Sequence, residues 1–146
     1  MPTSFPILVV DDDPHIVDIL RRAARSVFPQ AHFLGIQSFA EAARFLSDLS
    51  GPGPRLVLLD IDLQSELDGL DFLTLLRGHP QGRLLPIIML SANKNPLKRG
   101  EAYVRGANAV TGKPFSFEEW KLYVENLRLY WVDVATTPKL YFLSED

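Results

Sequence analysis

The chain has 146 residues, 47% hydrophobic and 23% charged, which suits one domain with a full core and argues against disorder. Its net charge of -3 lacks the basic excess of a nucleic-acid-binding surface. With no cysteine it can have no disulfide, thiolate metal site or cysteine nucleophile, and it fits a reducing compartment. The start, MPTSFP, has neither the basic residues nor the apolar run of a signal peptide. No apolar run approaches the roughly 20 residues of a membrane span, so a soluble cytoplasmic protein is expected.

Residues 5–10 are short, branched and continuously apolar, the pattern of a buried strand. Three carboxylates follow at once, Asp11, Asp12 and Asp13, and Pro14 suits the first turn of a helix. Ile16, Ile19, Leu20, Ala23 and Val27 recur at helical spacing until Pro29 ends the pattern. Residues 31–36 are a second, weaker strand. Ser38 caps a helix carrying Phe39, Ala42, Ala43, Leu46 and Leu49. SGPGP at 50–54 is a loop, and residues 56–59 are a third buried strand that stops at Asp60. Asp68 caps a helix with Leu70, Phe72, Leu73 and Leu76, GHPQG at 78–82 is a loop, and PIIML at 86–90 is a fourth strand. Asn95 and Pro96 open a short helix that Gly106 stops, and Ala109 and Val110 form a fifth strand. Ser116, with Glu119 three residues on, makes a capping box. It opens a long helix with Phe117, Trp120, Val124, Leu127 and Trp131 on one face.

Five such units, with strands short and apolar enough to be covered on both sides, predict an α/β fold. The expected form is a doubly wound five-stranded parallel sheet with helices on both faces and right-handed crossovers. Sites in such sheets form at the carboxyl ends of the strands. Strand one ends at aspartates 11–13, strand three at Asp60 and strand four at Ser91, and Lys113 follows strand five. Singly, each has a plain reading as a helix cap, a turn residue or a surface lysine. Together they converge on one edge, where gathered carboxylates repel unless a cation sits among them. A hard divalent ion such as Mg2+ is the natural choice. A carboxylate beside it can attack a phosphoryl group, with a lysine and a serine hydroxyl stabilising the phosphoryl oxygens.

At these residues the sequence resembles the receiver domain of bacterial two-component response regulators, the CheY-like or flavodoxin-like fold. The matching segments are ILVVDDDP, LVLLDIDL, LDGLDFL, PIIMLSA and GANAVTGKPF. The resemblance implies strand order 2-1-3-4-5. It implies Asp60 as the phosphoacceptor for a sensor histidine kinase, with Ser91 hydrogen-bonded to the phosphoryl group and Lys113 paired with it. It implies a Mg2+ held by Asp11, Asp12, Asp60 and the backbone carbonyl of Asp62, with Asp12 a more direct ligand than Asp11. Asp13 falls at a variable position and is expected to cap the helix. The peptide to Pro114 is often cis in the family. Catalysis is expected only in the protein's own phosphorylation and dephosphorylation, so it is not expected to be an enzyme in the ordinary sense.

Three departures stand out. The loop after Asp60 usually carries Met-Pro or Leu-Pro, whereas here it reads Leu63-Gln64 and is one residue longer. The switch aromatic three residues before Lys113 is replaced by Val110, so the usual Ser/Thr–aromatic switch cannot operate in that form. The positions that tune phosphoryl lifetime, two after Asp60 and two after Ser91, are Asp62 and Asn93.

The expected division is a receiver domain over 1–131 and a C-terminal extension over 132–146. With no further domain after it, a stand-alone regulator is expected. In the extension Pro138 ends or prevents a helix, and KLYFL reads as a short strand. Leu122, Leu129 and Tyr130 lie off the core face of the last helix, beside Tyr123 and Val134. Two readings stay open: a tail folded back on its own domain, or a dimerisation arm in a homodimer formed by last helices and tails. YWVDVATTP resembles the tail of stand-alone receivers encoded with bacterial phytochrome kinases, in which such dimers are typical. That resemblance implies a bacteriophytochrome kinase as partner; from charge and the lack of a long apolar run, neither nucleic acid nor membrane is expected as a partner. Two further functions compete. A haloacid-dehalogenase-type phosphatase would begin with Asp60-Ile61-Asp62, although Gln64 stands where Thr or Val is expected. A pseudo-receiver would bind partners without phosphorylation, and the intact Asp11, Asp12, Asp60, Ser91 and Lys113 argue against it.

Overall fold

The computed structural model describes residues 4–92 and 95–144. In chain order the elements are β1 (Phe5–Val10), α1 (Pro14–Val27), β2 (Ala31–Ile36), α2 (Phe39–Asp48), β3 (Gly51–Pro52) and β4 (Leu56–Leu59). Then come α3 (Gly69–Gly78), β5 (Ile87–Ser91), α4 (Pro96–Val104), β6 (Ala109–Gly112), α5 (Phe117–Arg128) and β7 (Tyr141–Phe142). The main sheet is parallel, with order β2-β1-β4-β5-β6. This is the expected order 2-1-3-4-5, renumbered because the two-residue strand β3 intervenes.

Alternation along the central strands divides the core in two. Leu8, Val10, Val57, Leu59, Ile87 and Met89 face α2, α3 and α4. Ile7, Val9, Leu56, Leu58, Ile88 and Leu90 face α1 and α5, where Leu20, Phe28, Trp120 and Val124 are buried. Helices start where the sequence places their caps. Asp13, Ser38, Asp68, Asn95 and Ser116 each accept a backbone N–H of the following turn. The reciprocal capping box forms at Asp68, where Asp71 accepts the Asp68 N–H at 2.9 Å. At Ser116 only half of it forms, because Glu119 Oε1 meets the Ser116 hydroxyl, at 3.1 Å, instead of its backbone.

Several boundaries differ from the sequence reading. β5 begins one residue late, at Ile87, because Pro86 has no N–H to donate; its carbonyl accepts from Val57 at 3.0 Å. β6 runs on to Gly112. Past Arg128 the last helix widens into a π-helical turn over Leu129–Val134, with Ala135 donating to Tyr130 O at 2.7 Å. Phe117 is exposed, with Arg22 over its ring, so it does not belong to the buried face. Tyr123 does not belong to the exposed stripe. It is partly buried against the core, and its hydroxyl meets Thr111 Oγ1 at 2.8 Å.

The extension lies across its own domain. β7 pairs antiparallel with β3 inside the segment read as a loop, matching Gly51 with Phe142 and Pro52 with Tyr141. Phe142 is fully buried. A Cβ on Gly53 would lie 2.1 Å from the Phe142 ring, so glycine is needed there for the tail to seat. The His79 ring lies 5.3 Å from that ring, tilted by 32°, and Arg55 Nε donates to Thr137 Oγ1 at 2.9 Å. Of the two readings of the tail, the folded-back one is the arrangement within this single chain. Among the described residues, no helix is long and apolar enough to cross a membrane.

Candidate functional site

The strand ladders continue past the strands and set four residues side by side. Asp11 N donates to Ile36 O at 2.9 Å, Asp60 N to Val10 O at 2.9 Å, and Lys113 N to Ser91 O at 3.0 Å. Each bond fixes the first residue beyond a strand, so side chains from β1, β4, β5 and β6 share one edge. Asp11, Asp60 and Ser91 are buried.

Lys113 Nζ lies 3.1 Å from Asp60 Oδ2 and 2.8 Å from Asp11 Oδ2. At Asp11 the contact is an ion pair without hydrogen-bond alignment, which leaves a buried oxygen with unspent acceptor capacity. The other oxygens are engaged by the backbone: Asp13 N donates to Asp11 Oδ1 at 2.9 Å, and Asp62 N donates to Asp60 Oδ1 at 3.1 Å. Burial, and then the neighbouring charge of Asp11, push the Asp60 carboxyl up to about 7. Burial also raises Asp11. For Lys113, burial works against the charge, but Asp11 and Asp60 outweigh it and hold the ammonium above its usual range.

One oxygen from each of Asp11, Asp12 and Asp60 lies within 4.8 Å of the others. Three convergent carboxylates, two of them buried, have the hard-donor chemistry of a divalent-cation site. Asp13 is not one of them. It caps α1, accepting from His15 N at 2.9 Å, and that bond holds its carboxyl low. Asp62 turns its carboxylate away to Lys98, at 2.8 Å, while its N–H points at Asp60.

The departures in the Asp60 loop have a structural counterpart. Leu63 is buried, and Gln64 takes φ +50°, a left-handed conformation closed to the proline common at this position in receivers. Gly69 closes the loop against the site: a Cβ there would lie 1.7 Å from Asp60 O. The peptide to Pro114 is trans. Val110 packs partly buried against the core, and its N–H donates to the Tyr103 hydroxyl at 3.1 Å. Asn93 lies outside the described residues.

The response regulator receiver domain family matches residues 7–125. This chain belongs to that family. A receiver of this kind works in two-component signalling, and its catalysis is confined to its own phosphorylation and dephosphorylation. The chain is 29% identical to the probable methanogenesis regulatory protein FilR2 of Methanothrix harundinacea, over 90% of this chain and 86% of that one. It spans about half of response regulator Rre1 of Synechocystis, at 53% of its length and 28% identity. Its fold matches the phosphorylated cyanobacterial phytochrome response regulator RcpA with a TM-score of 0.83 at 21% identity, covering 94% of this chain and all of that one (100%). It is 26% identical to the bacteriophytochrome response regulator AtBRR, with a TM-score of 0.68, covering 90% of this chain and 97% of that one.

Sequence reasoning missed Lys98 and Arg77. Lys98 sits in an ordinary solvent-facing position of α4, and nothing in its neighbourhood marks a partner in the Asp60 loop. Arg77 crosses from α3 to donate to the carbonyls of Gly106, Gly82 and Leu85 at 2.9, 3.0 and 2.7 Å, and to Asn108 Oδ1 at 2.9 Å. An arginine in the last turn of a helix reads as a dipole partner, whereas this one staples two loops.

Proposed function

We propose that this chain is a response regulator receiver in which Asp60 accepts a phosphoryl group from the phosphohistidine of a sensor kinase. The single observation that carries this reading is the buried Asp60 carboxylate, held between Lys113 at 3.1 Å and the acidic pair Asp11 and Asp12. In the transfer an Asp60 oxygen forms the new P–O bond as the P–N bond of the donor breaks, and the departing imidazole takes up a proton. Lys113 neutralises the transferring oxygens from one side, and the Ser91 hydroxyl, at the end of β5, donates to one of them. Asp11, Asp12, Asp60 and the backbone carbonyl of Asp62 would hold Mg2+. When bound, that ion would supply positive charge that offsets the carboxylates and the charge on the transferring group.

A bacteriophytochrome kinase is the partner this reading favours. It is supported by the similarity to AtBRR over nearly the whole of both chains and by the tail segment YWVDVATTP. The working form is a cytoplasmic homodimer. Leu122, Leu129, Tyr130 and Val134 are exposed on the last helix and its widened turn, with Tyr141 and Leu143 exposed on the tail. The residues 132–146 then serve as a dimerisation arm, because the β3–β7 pairing can be made within one chain or exchanged between two.

The test is intact-protein mass spectrometry after incubation with Mg2+ and acetyl phosphate. A gain of one phosphoryl group, lost in Asp60→Asn and with EDTA, is expected. No gain by a folded, Mg2+-binding chain that also forms no beryllofluoride adduct would refute it. Phosphotransfer from a bacteriophytochrome kinase tests the partner, and light scattering of native and Tyr130→Glu chains tests the dimer.

A further inference from the structure

Helix α4 is poorly anchored by apolar contact. Ala102 is its buried residue, while Leu97 and Val104 are 81% and 82% exposed. What holds it is polar. In its first turns Lys98 Nζ meets Asp62 Oδ1 at 2.8 Å. Beyond its last turn Arg105 meets Asp71 Oδ1 at 3.4 Å and Thr74 Oγ1 at 3.3 Å, both on α3. Between them the Tyr103 hydroxyl accepts the Val110 N–H. The first of these ties ends in the loop that follows Asp60.

Asp62 is held through both its backbone and its side chain. Its backbone N–H donates to Asp60 Oδ1 at 3.1 Å, and its carboxylate takes the ammonium of Lys98. The pair is half-exposed, with side chains 39% and 42% accessible, so it is a weak contact that a nearby change of charge can redirect. Phosphorylation of Asp60 makes such a change. The carboxylate anion becomes a neutral acyl carbonyl, so the Asp62 N–H loses a charged acceptor. A phosphoryl group of nearly two negative charges also appears two residues before the Asp62–Lys98 pair. With Val110 in place of an aromatic, this chain needs another route from Asp60 to α4.

We propose that Lys98 is that route: it pairs with Asp62 when Asp60 is free and shifts toward the phosphoryl group when Asp60 is modified, drawing the first turn of α4 with it. This rests on the phosphoacceptor role of Asp60. Lys98 is a positioning residue, since it reaches the acceptor through Asp62.

The experiment compares amide spectra of the native chain, Lys98→Met, Lys98→Arg and Asp62→Asn, with and without Mg2+ and beryllofluoride. The fluorine resonance reports whether the adduct forms. In the native chain the Leu97 and Val104 amides should shift on adduct formation. In Lys98→Met the adduct should form while those shifts are lost, and Lys98→Arg should restore them. Asp62→Asn should move the same amides toward their adduct positions before any beryllofluoride is added. Unchanged α4 shifts in Lys98→Met, with the adduct present, would overturn the role of Lys98 and leave the acceptor role intact. No adduct in the native chain would overturn both.

Discussion

Replacing Asp60 by asparagine should stabilise the chain at pH 8 without divalent cation, although it removes the proposed acceptor. Asp60 is 5% exposed and its carboxyl is raised from 3.8 to about 7, by burial first and Asp11 second. Above pH 7 the folded state must hold that charge, whereas the unfolded chain ionises freely. A difference of roughly three pH units corresponds to about 4 kcal/mol as an upper bound. Local opening that admits water reduces this to about 2–4 kcal/mol, and at about 3 °C per kcal/mol for this chain length the melting temperature should rise by roughly 6–12 °C. The sign follows from linkage. Between the unfolded and folded values the folded state binds the extra proton, so native stability falls as pH rises through that window. The advantage of asparagine should therefore shrink to under about half at pH 5 and nearly vanish below pH 4. Thermal unfolding by circular dichroism in EDTA at pH 5 and 8 measures it. A variant no more stable than the native chain at pH 8, or one with the same gain at both pH values, would refute the reasoning.

Other substitutions test the parts that frame the site. Gly69→Ala drives a Cβ to 1.7 Å from Asp60 O, so urea unfolding should show a loss of about 2–3 kcal/mol or more, accompanied by slower phosphoryl uptake. Phe142→Ala empties a fully buried site against Gly53 and His79. It should cost about 3–5 kcal/mol and make the tail sensitive to limited proteolysis. Arg77→Leu leaves the Gly106 and Leu85 carbonyls without the Arg77 donor and takes one of two donors from the Gly82 carbonyl, and a loss of about 2–4 kcal/mol is expected by urea unfolding.

The acidic edge was legible because its residues follow a rule of topology. Short apolar runs identify parallel strands, and their carboxyl ends must share an edge, so Asp11, Asp60, Ser91 and Lys113 meet without any knowledge of loop shape. The Asp60 loop was less legible. Gln64 signals a departure from proline, but the left-handed turn it adopts depends on Leu63 finding space in the core. KLYFL was readable as a strand, yet its partner was hidden, because Gly51 and Pro52 sit in a run that composition marks as a turn. Their pairing depends on Phe142 fitting against a glycine 89 positions earlier. Lys98 and Arg77 were illegible for a related reason. Periodicity finds faces of helices, whereas a single long side chain reaching a distant carboxylate or carbonyl leaves no period.

The central claim is that the phosphoryl group goes to Asp60. Borohydride reduction of the acetyl-phosphate-treated chain, followed by peptide sequencing in a mass spectrometer, tests it most directly, because an aspartyl phosphate is reduced to homoserine where it formed. Homoserine at position 60 alone is predicted, dependent on Mg2+. Homoserine at Asp11, Asp12 or Asp62 instead would contradict the account.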